Sequence, residues 1–133
     1  MSDSIDQAVI EFPLYVANKA IKSGQWLEVH DKFSGKIYAK VALADAKILE
    51  KAISAAVKAE KEMAALKPFQ KQKILLHCVQ RFKELREELT QILIIEGGKP
   101  KLAAAAEVER LINTFQLAAD AVSTINDGHL MPL

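Results

Sequence analysis

The stretch PFQKQKILLHCVQRFKELREELTQILIIEGGKP, residues Pro68–Pro100, decides how this chain folds. Apolar residues recur in it at steps of three and four, which predicts one long amphipathic helix over residues 68–97 with a stripe that must be buried. A proline opens the segment, and two glycines followed by a second proline close it. The stripe comprises Leu75, Cys78, Val79, Phe82, Leu85, Leu89, Ile92 and Leu93.

A further helix is predicted on each side of this one. Residues 45–66 are rich in alanine, and Asp45 is a suitable N-cap because its carboxylate can accept hydrogen bonds from the first turn. Residues 101–126 form the third helix, which Asn126-Asp127-Gly128 ends. The two apolar stripes comprise Leu49, Ala52, Ile53, Ala56, Val57 and Met63 in the first helix, and Val108, Leu111, Ile112, Phe115, Ala118, Ala119, Val122 and Ile125 in the third.

The first third of the chain has the pattern of short strands. Turn residues at Ser23-Gly24 and Ser34-Gly35 separate β-favouring segments, which predicts a small antiparallel sheet within residues 12–44. The predicted strands are Phe12–Ala17, Trp26–Val29 and the alternating segment KIYAKVALA at residues 36–44. The fold class is therefore α+β, with small antiparallel strands followed by three amphipathic helices. Residues 1–11 are polar and are expected to form a loose arm.

Composition narrows the class of protein. A length of 133 residues suits one domain, and a net charge of +1 with interleaved signs argues against a nucleic-acid surface. Cys78 is the only cysteine, so an internal disulfide is excluded and a reducing, cytoplasmic location is expected. The acidic N-terminus lacks the pattern of a signal peptide, and the longest apolar runs are too short to cross a bilayer. We expect no membrane partner.

Residue patterns alone identify no catalytic group. His30, His77 and His129 lack metal-ligand spacing, and Cys78 is best interpreted as a filler within the apolar stripe. The glycines of EGGK at Glu96–Lys99 could present amides to a phosphate, but the first glycine of a phosphate-binding loop is missing and proline replaces its hydroxyl residue. Helix termination is the better explanation of that segment.

The order of these segments resembles the N-terminal part of the aldehyde dehydrogenase superfamily. The matching segments are YVANKAIKSGQW, DKFSGKIYAKVALAD, the alanine-rich helix, the long helix ending in GGKP, EVERLINTFQLAADAV and DGHLMPL. The ending of the long helix is similar to the family's Glu-x-Gly-Lys-Pro, and the last two segments follow in the expected order, after which the chain stops without a cap or a charged tail. These features favour a segment of a larger protein.

The resemblance implies a place in the cofactor-binding domain of an enzyme that oxidises an aldehyde to an acid with NAD or NADP. In that family a cysteine attacks the aldehyde and a glutamate assists hydrolysis of the thioester, but these groups and the cofactor-binding turn come later in the sequence. We therefore expect no catalytic or cofactor-binding residue and no bound cofactor in this chain. The expected partners are the rest of the enzyme polypeptide and further copies of it. Glu107 aligns with an acidic residue that holds a structural monovalent cation in some members.

Two segments depart from the family pattern. Lys32-Phe33 replaces a proline-containing turn, which predicts a looser corner, and an alanine run occupies residues 103–106. A free-standing helical interaction module, whose long stripe accepts a partner helix, remains the alternative. A self-contained helical core with polar exteriors would favour the module, whereas a second apolar face left bare would favour the enzyme segment.

Overall fold

A computed structural model of the protein describes residues 9–125, and the chain divides into two compact units, Met1–Glu60 and Lys61–Leu133. Five strands come first: β1 (Ile10–Phe12), β2 (Leu14–Val16), β3 (Lys19–Ile21), β4 (Trp26–His30) and β5 (Ile37–Ala42). Four helices follow: α1 (Ala46–Ala65), α2 (Pro68–Glu84), α3 (Arg86–Gly97) and α4 (Lys101–Ile125).

Helix α1 has the bounds expected from its sequence. Asp45 caps it, since its Oδ1 accepts a hydrogen bond from the Ile48 amide at 2.7 Å. Pro68 stands at the first position of α2, and the Gln70 side chain accepts a hydrogen bond from the Lys67 amide at 2.8 Å. The capping residues predicted from the sequence therefore define the start of both helices.

The single helix predicted over residues 68–97 is wrong, because the structure has two helices there. Leu85 leaves the helical conformation (φ −93°, ψ 10°) and separates α2 from α3. Both helices contact α4. The interruption is one residue long, because the Leu85 amide still donates to the Arg81 carbonyl oxygen at 3.0 Å and the Leu85 carbonyl oxygen accepts from the Leu89 amide at 2.9 Å.

The core of the helical unit forms where α2, α3 and α4 meet. Val79, Val108 and Ile112 are buried, with exposed fractions of 4% or less. Side chains from all three helices pack against them, namely Phe82, Leu89, Leu93 and Phe115. The rings of Phe82 and Phe115 meet edge to face, with centroids 4.9 Å apart. Most of this core comes from the stripes that the sequence predicted.

The alanine run at residues 103–106 lies in the first turns of α4. Ala104 is completely buried there, and Ala119 is completely buried further along the same helix. Such small side chains allow a neighbouring helix to approach closely. Near Ala119, the Gln72 amide of α2 donates a hydrogen bond to the Ala119 carbonyl oxygen at 3.1 Å.

The strands form two small sheets and not one antiparallel sheet. One sheet has the order β1-β5-β4, in which β4 is antiparallel to β5 but β1 is parallel to it, with Ile10 opposite Ala39. The other consists of the antiparallel pair β2 and β3. The predicted strand Phe12–Ala17 is thereby divided, since Pro13 separates β1 from β2. Ile10 and Glu11, the last described residues of the expected loose arm, belong to β1, and residues 1–8 lie outside the described part of the chain.

The β2–β3 hairpin closes through a turn that the sequence did not predict. Ala17 and Asn18 are its two central residues and both have positive φ, 49° and 62°. Consecutive residues in this region form the turn that matches the twist of a two-residue hairpin. Glycine usually marks such a turn, and its absence explains why the turn was missed.

The corner at Asp31–Gly35 is well connected, contrary to the expected loosening. The Asp31 carboxylate accepts hydrogen bonds from the Phe33 amide at 2.8 Å and from the Ser34 hydroxyl at 2.9 Å. The Gly35 amide donates to the Asp31 carbonyl oxygen at 2.8 Å. The hydrogen bonds from Phe33 and Ser34 to the carboxylate lower the pKa of Asp31, and the Phe33 amide contributes most. An aspartate turn replaces the rigidity that a proline would supply.

Among residues 9–125, no helix combines the length and apolar character required to cross a membrane.

Candidate functional site

The one site residue that the sequence suggested, Glu107, lies in α4 next to the connection between α3 and α4. Gly98 ends α3 in the left-handed conformation (φ 62°, ψ 25°), and its amide donates to the Ile94 carbonyl oxygen at 3.0 Å. The chain then passes Lys99 and Pro100 and enters α4 at Lys101. This short connection places the Lys99 side chain beside the second turn of α4.

Glu107 is bound by cationic side chains on both carboxylate oxygens. Lys99 donates a hydrogen bond from Nζ to Oε2, and Arg110 Nη2 lies 4.0 Å from Oε1. The hydrogen bond from Lys99 is the main cause that lowers the pKa of Glu107, while partial burial opposes it. The carboxylate is therefore ionised at neutral pH and unsuited to act as a general acid.

A monovalent cation at Glu107 would have to share this carboxylate with Lys99 or displace it. Within residues 9–125, no group of three or more histidine, cysteine, aspartate or glutamate side chains could hold a metal ion. The arrangement is that of an ion pair which joins the α3–α4 connection to α4. The cation site at Glu107 stays a prediction.

A second ion pair lies two residues further along α4. Arg86 Nε at the start of α3 contacts Glu109 Oε1 at 2.8 Å. Glu107 thus pairs with Lys99 and Glu109 with Arg86, so both ends of α3 are linked to α4 by ion pairs. The pair of Arg86 with Glu109 could not be predicted from the sequence, because the two residues are far apart in the chain.

The other candidates do not converge. Cys78 is partly buried beside Val79 in the α2 stripe, as a filler should be. His30 Nδ1 bonds to the Gly35 carbonyl oxygen at 3.0 Å, and His77 is exposed on α2. His129 lies outside the described residues. Within residues 9–125, Cys78, His30 and His77 form no pair of nucleophile and base.

The second notable surface is on α1, where no residue is buried. Leu49, Ile53 and Val57 are 55%, 49% and 63% exposed. Their spacing of four residues puts them on one side of the helix, which we call the α1 apolar face. A globular protein normally covers such a row of large aliphatic side chains.

Two open grooves are lined by residues that the structure describes. One, of about 390 Å³, is largely apolar and lies against α2 and α4 beside Phe69 and Val122. The other, of about 470 Å³, lies between the Ser23-Gly24 turn and the start of α1 at Asp45. Neither contains a cluster of groups that could catalyse a reaction.

Comparison with known proteins identifies the family. A model of the aldehyde dehydrogenase family matches residues 19–133. The lactaldehyde dehydrogenase of Methanocaldococcus jannaschii is 34% identical over 109 residues, which cover 78% of this chain and 24% of that protein.

Solved structures have the same fold. Aldehyde dehydrogenase 21 from Physcomitrella patens, determined with the reaction product succinate, aligns with a TM-score of 0.81 and 36% identity over 84% of this chain and 24% of its own. An NAD-dependent benzaldehyde dehydrogenase from Corynebacterium glutamicum aligns with a TM-score of 0.80 and 22% identity, over 89% of this chain and 26% of its own.

The chain spans about a quarter of the length of these relatives. The family model covers most of the chain, and the strands and helices of the structure superpose on the cofactor-binding part of solved members. The expected resemblance is thus confirmed, with one more helix than predicted. The chain belongs to the aldehyde dehydrogenase family and corresponds to its N-terminal segment.

Proposed function

We propose that this chain is the structural N-terminal part of an NAD- or NADP-dependent aldehyde dehydrogenase, which oxidises an aldehyde to a carboxylic acid. The observation that carries the proposal is the family match over residues 19–133 in a chain about a quarter as long as its relatives. In this proposal the chain supplies framework, and the reacting cysteine, the base and the cofactor-binding turn belong to the remainder of the enzyme.

The bare surface of α1 supports this proposal over a free-standing interaction module. A module should enclose its own core and present polar exteriors, whereas α1 has no buried residue and exposes Leu49, Ile53 and Val57. The α2 stripe, which the module would offer to a partner helix, is already used, because Val79 and Phe82 pack against α4.

The internal contacts of the helical unit suggest what the framework does. Two ion pairs, Lys99–Glu107 and Arg86–Glu109, hold α3 against α4, and the buried cluster around Val108 joins all three helices. Because these contacts fix the helices relative to one another, their outer surfaces can pack against a larger domain in one arrangement.

The cofactor and the assembly are proposed at the level of the family. The benzaldehyde dehydrogenase with the same fold is named as NAD-dependent, which supports a nicotinamide cofactor for the whole enzyme. We propose a homo-oligomeric enzyme in the cytoplasm; a single cysteine in the sequence is compatible with that location. A monovalent cation at Glu107 belongs to the same proposal.

A chimera tests the proposal directly. This chain would replace the matching quarter of the Methanocaldococcus jannaschii lactaldehyde dehydrogenase, and reduction of NAD or NADP would be followed with lactaldehyde. We expect a soluble chimera with measurable turnover, because the same fold provides the same framework.

The matched control is a chimera that carries Val108→Asp, which puts a charge into the buried core and should abolish the framework. The 133-residue chain alone should give no turnover with either cofactor. Turnover by the chain alone, or a chimera no better folded than the Val108→Asp control, would refute the proposed role.

A further inference from the structure

We propose that His30 is a pH-responsive clamp, which tightens the turn between β4 and β5 when its imidazole gains a second proton. The turn comprises residues 31–36, and His30 is the last residue of β4. All the residues involved belong to the strand unit, so the inference is independent of the proposed function.

The imidazole of His30 lies between two oxygen atoms. Its Nδ1 is 3.0 Å from the Gly35 carbonyl oxygen, and its Nε2 is 3.8 Å from Glu28 Oε2. Because a carbonyl oxygen can only accept, Nδ1 must carry the hydrogen of the first bond. In the neutral ring Nε2 therefore has a lone pair toward the carboxylate, which is not an attractive contact. Protonation of Nε2 converts the same contact into an ion pair.

This ion pair would link two sides of the turn. The Gly35 amide donates to the Asp31 carbonyl oxygen at 2.8 Å, and the Asp31 amide donates to the Lys36 carbonyl oxygen at 3.0 Å. The regular pairing of β4 with β5 is shifted between Val29 and His30, next to the turn. A protonated His30 ties Gly35 to Glu28 across this irregular point, where the strand ladder contributes least.

The surrounding charges leave Glu28 available to His30. Lys40 of β5 lies 3.8 Å from the other carboxylate oxygen of Glu28, so the two cations do not compete for one atom. Glu11 of β1 is in register with Lys40, and the Asp31 carboxylate is bonded to the Phe33 amide and the Ser34 hydroxyl. The other titratable groups of the turn and of β5 are Lys32, Lys36 and Tyr38.

The clamp acts on the acid side of neutrality. Imidazoles ordinarily become protonated below about pH 6.5, and glutamates are ionised above about pH 5, so both charges are present between these limits. Protonation that creates an attractive contact in the folded chain stabilises it at the lower pH, and this contribution is lost as the pH rises. The side chains of His30 and Glu28 are 45% and 46% exposed, so the effect is small and weakens in salt.

Hydrogen exchange of the Gly35 amide tests the clamp in the 133-residue chain at low salt. After correction for the intrinsic exchange rate, we expect this amide to be protected about twofold to fivefold more at about pH 5.5 than at about pH 7.5. The Leu43 amide, which donates to the Gln25 carbonyl oxygen at 2.9 Å at the other end of β4 and β5, is the internal control. Its corrected protection should be the same at both pH values.

Two substitutions separate the clamp from a purely structural role of the histidine. Glu28→Gln should abolish the pH response of the Gly35 amide, because the protonated ring then has no carboxylate to bind. Lys40→Gln removes the other cation from Glu28 and should leave the response intact. Nitrogen-15 shifts of the His30 ring should report a hydrogen on Nδ1 at the higher pH.

Three results would overturn the inference. They are equal protection of the Gly35 amide at the two pH values, a pH response that survives Glu28→Gln, and a neutral ring that carries its hydrogen on Nε2. An equal change of the Gly35 and Leu43 amides would assign the response to the whole strand unit and would also reject the clamp.

Discussion

Val108 lies at the centre of the contacts between α2, α3 and α4. It is 1% exposed and packs in one cluster with Val79 and Ile112. Because the cluster contains few fully buried side chains, each one contributes a large share of what holds the helical unit together. The stability of the helical unit therefore depends on apolar packing around Val108 and not on polar interactions.

Val108→Ala is expected to destabilise the chain by about 2 kcal/mol, the cost of two lost methyl groups plus a small cavity. Urea unfolding followed by circular dichroism would measure it. The matched control is Val57→Ala on α1, where the side chain is 63% exposed and the loss should be below about 0.5 kcal/mol. Equal losses at the two positions would contradict the buried cluster.

Glu107 makes the stability of the chain depend on pH. Its pKa is held below the ordinary value of 4.5, chiefly by the hydrogen bond from Lys99. A carboxyl with a lowered folded-state pKa contributes stability that is fully present above its ordinary value and is lost as the pH falls through the folded-state value. The contribution is also screened by salt, since both partners are partly exposed.

Glu107→Gln should therefore destabilise the chain at neutral pH, and the difference from wild type should shrink as the pH falls below 4.5 and through the lowered folded-state pKa. Thermal unfolding over a series of pH values from neutral to acidic, in low and high salt, would check this. Glu96→Gln is the control, because Glu96 is exposed and takes part in no recorded ion pair of the described residues. A pH-independent difference for Glu107→Gln would show that its effect is not electrostatic.

At the scale of elements, local chemistry explains what could be predicted and tertiary contacts explain what could not. The start of α1 at the Asp45 cap and the end of α3 at Gly98 follow from residues within one turn of the chain. The interruption at Leu85 has no glycine or proline to mark it. Parallel pairing of β1 with β5 depends on residues distant in sequence.

Gly98 shows how one residue terminates an element. Its φ of 62° lies in the left-handed region, so Gly98→Ala should cost about 1 kcal/mol. The neighbouring Gly97→Ala is the control, because Gly97 is helical and its new Cβ would meet the Lys99 side chain at an ordinary 3.5 Å. That variant should be neutral or up to about 1 kcal/mol more stable. Urea midpoints of the two variants would test the assignment, and an equal loss from both would reject it.

At the scale of the whole molecule, the important property is how much apolar surface the chain buries by itself and how much it leaves exposed. Among the described residues, large exposed apolar side chains outnumber buried ones, and they occur on β1, β2, β4, β5, α1, α2 and α4. The sequence predicted the stripes that could be buried, but it could not show which of them this chain covers by itself. That distinction needs the contacts of the folded molecule.

The isolated chain should consequently bind a hydrophobic dye and self-associate as its concentration rises, because bare apolar surface is favourably removed from water. Dye fluorescence and sedimentation velocity over a concentration series would measure both effects. Leu49→Gln combined with Val57→Gln should reduce dye binding, whereas Lys51→Gln combined with Lys58→Gln, on the opposite side of the same helix, should not. A chain that stays monomeric at high concentration and binds no dye would mean that its apolar faces are covered, and its role as one part of a larger enzyme would lose its physical basis.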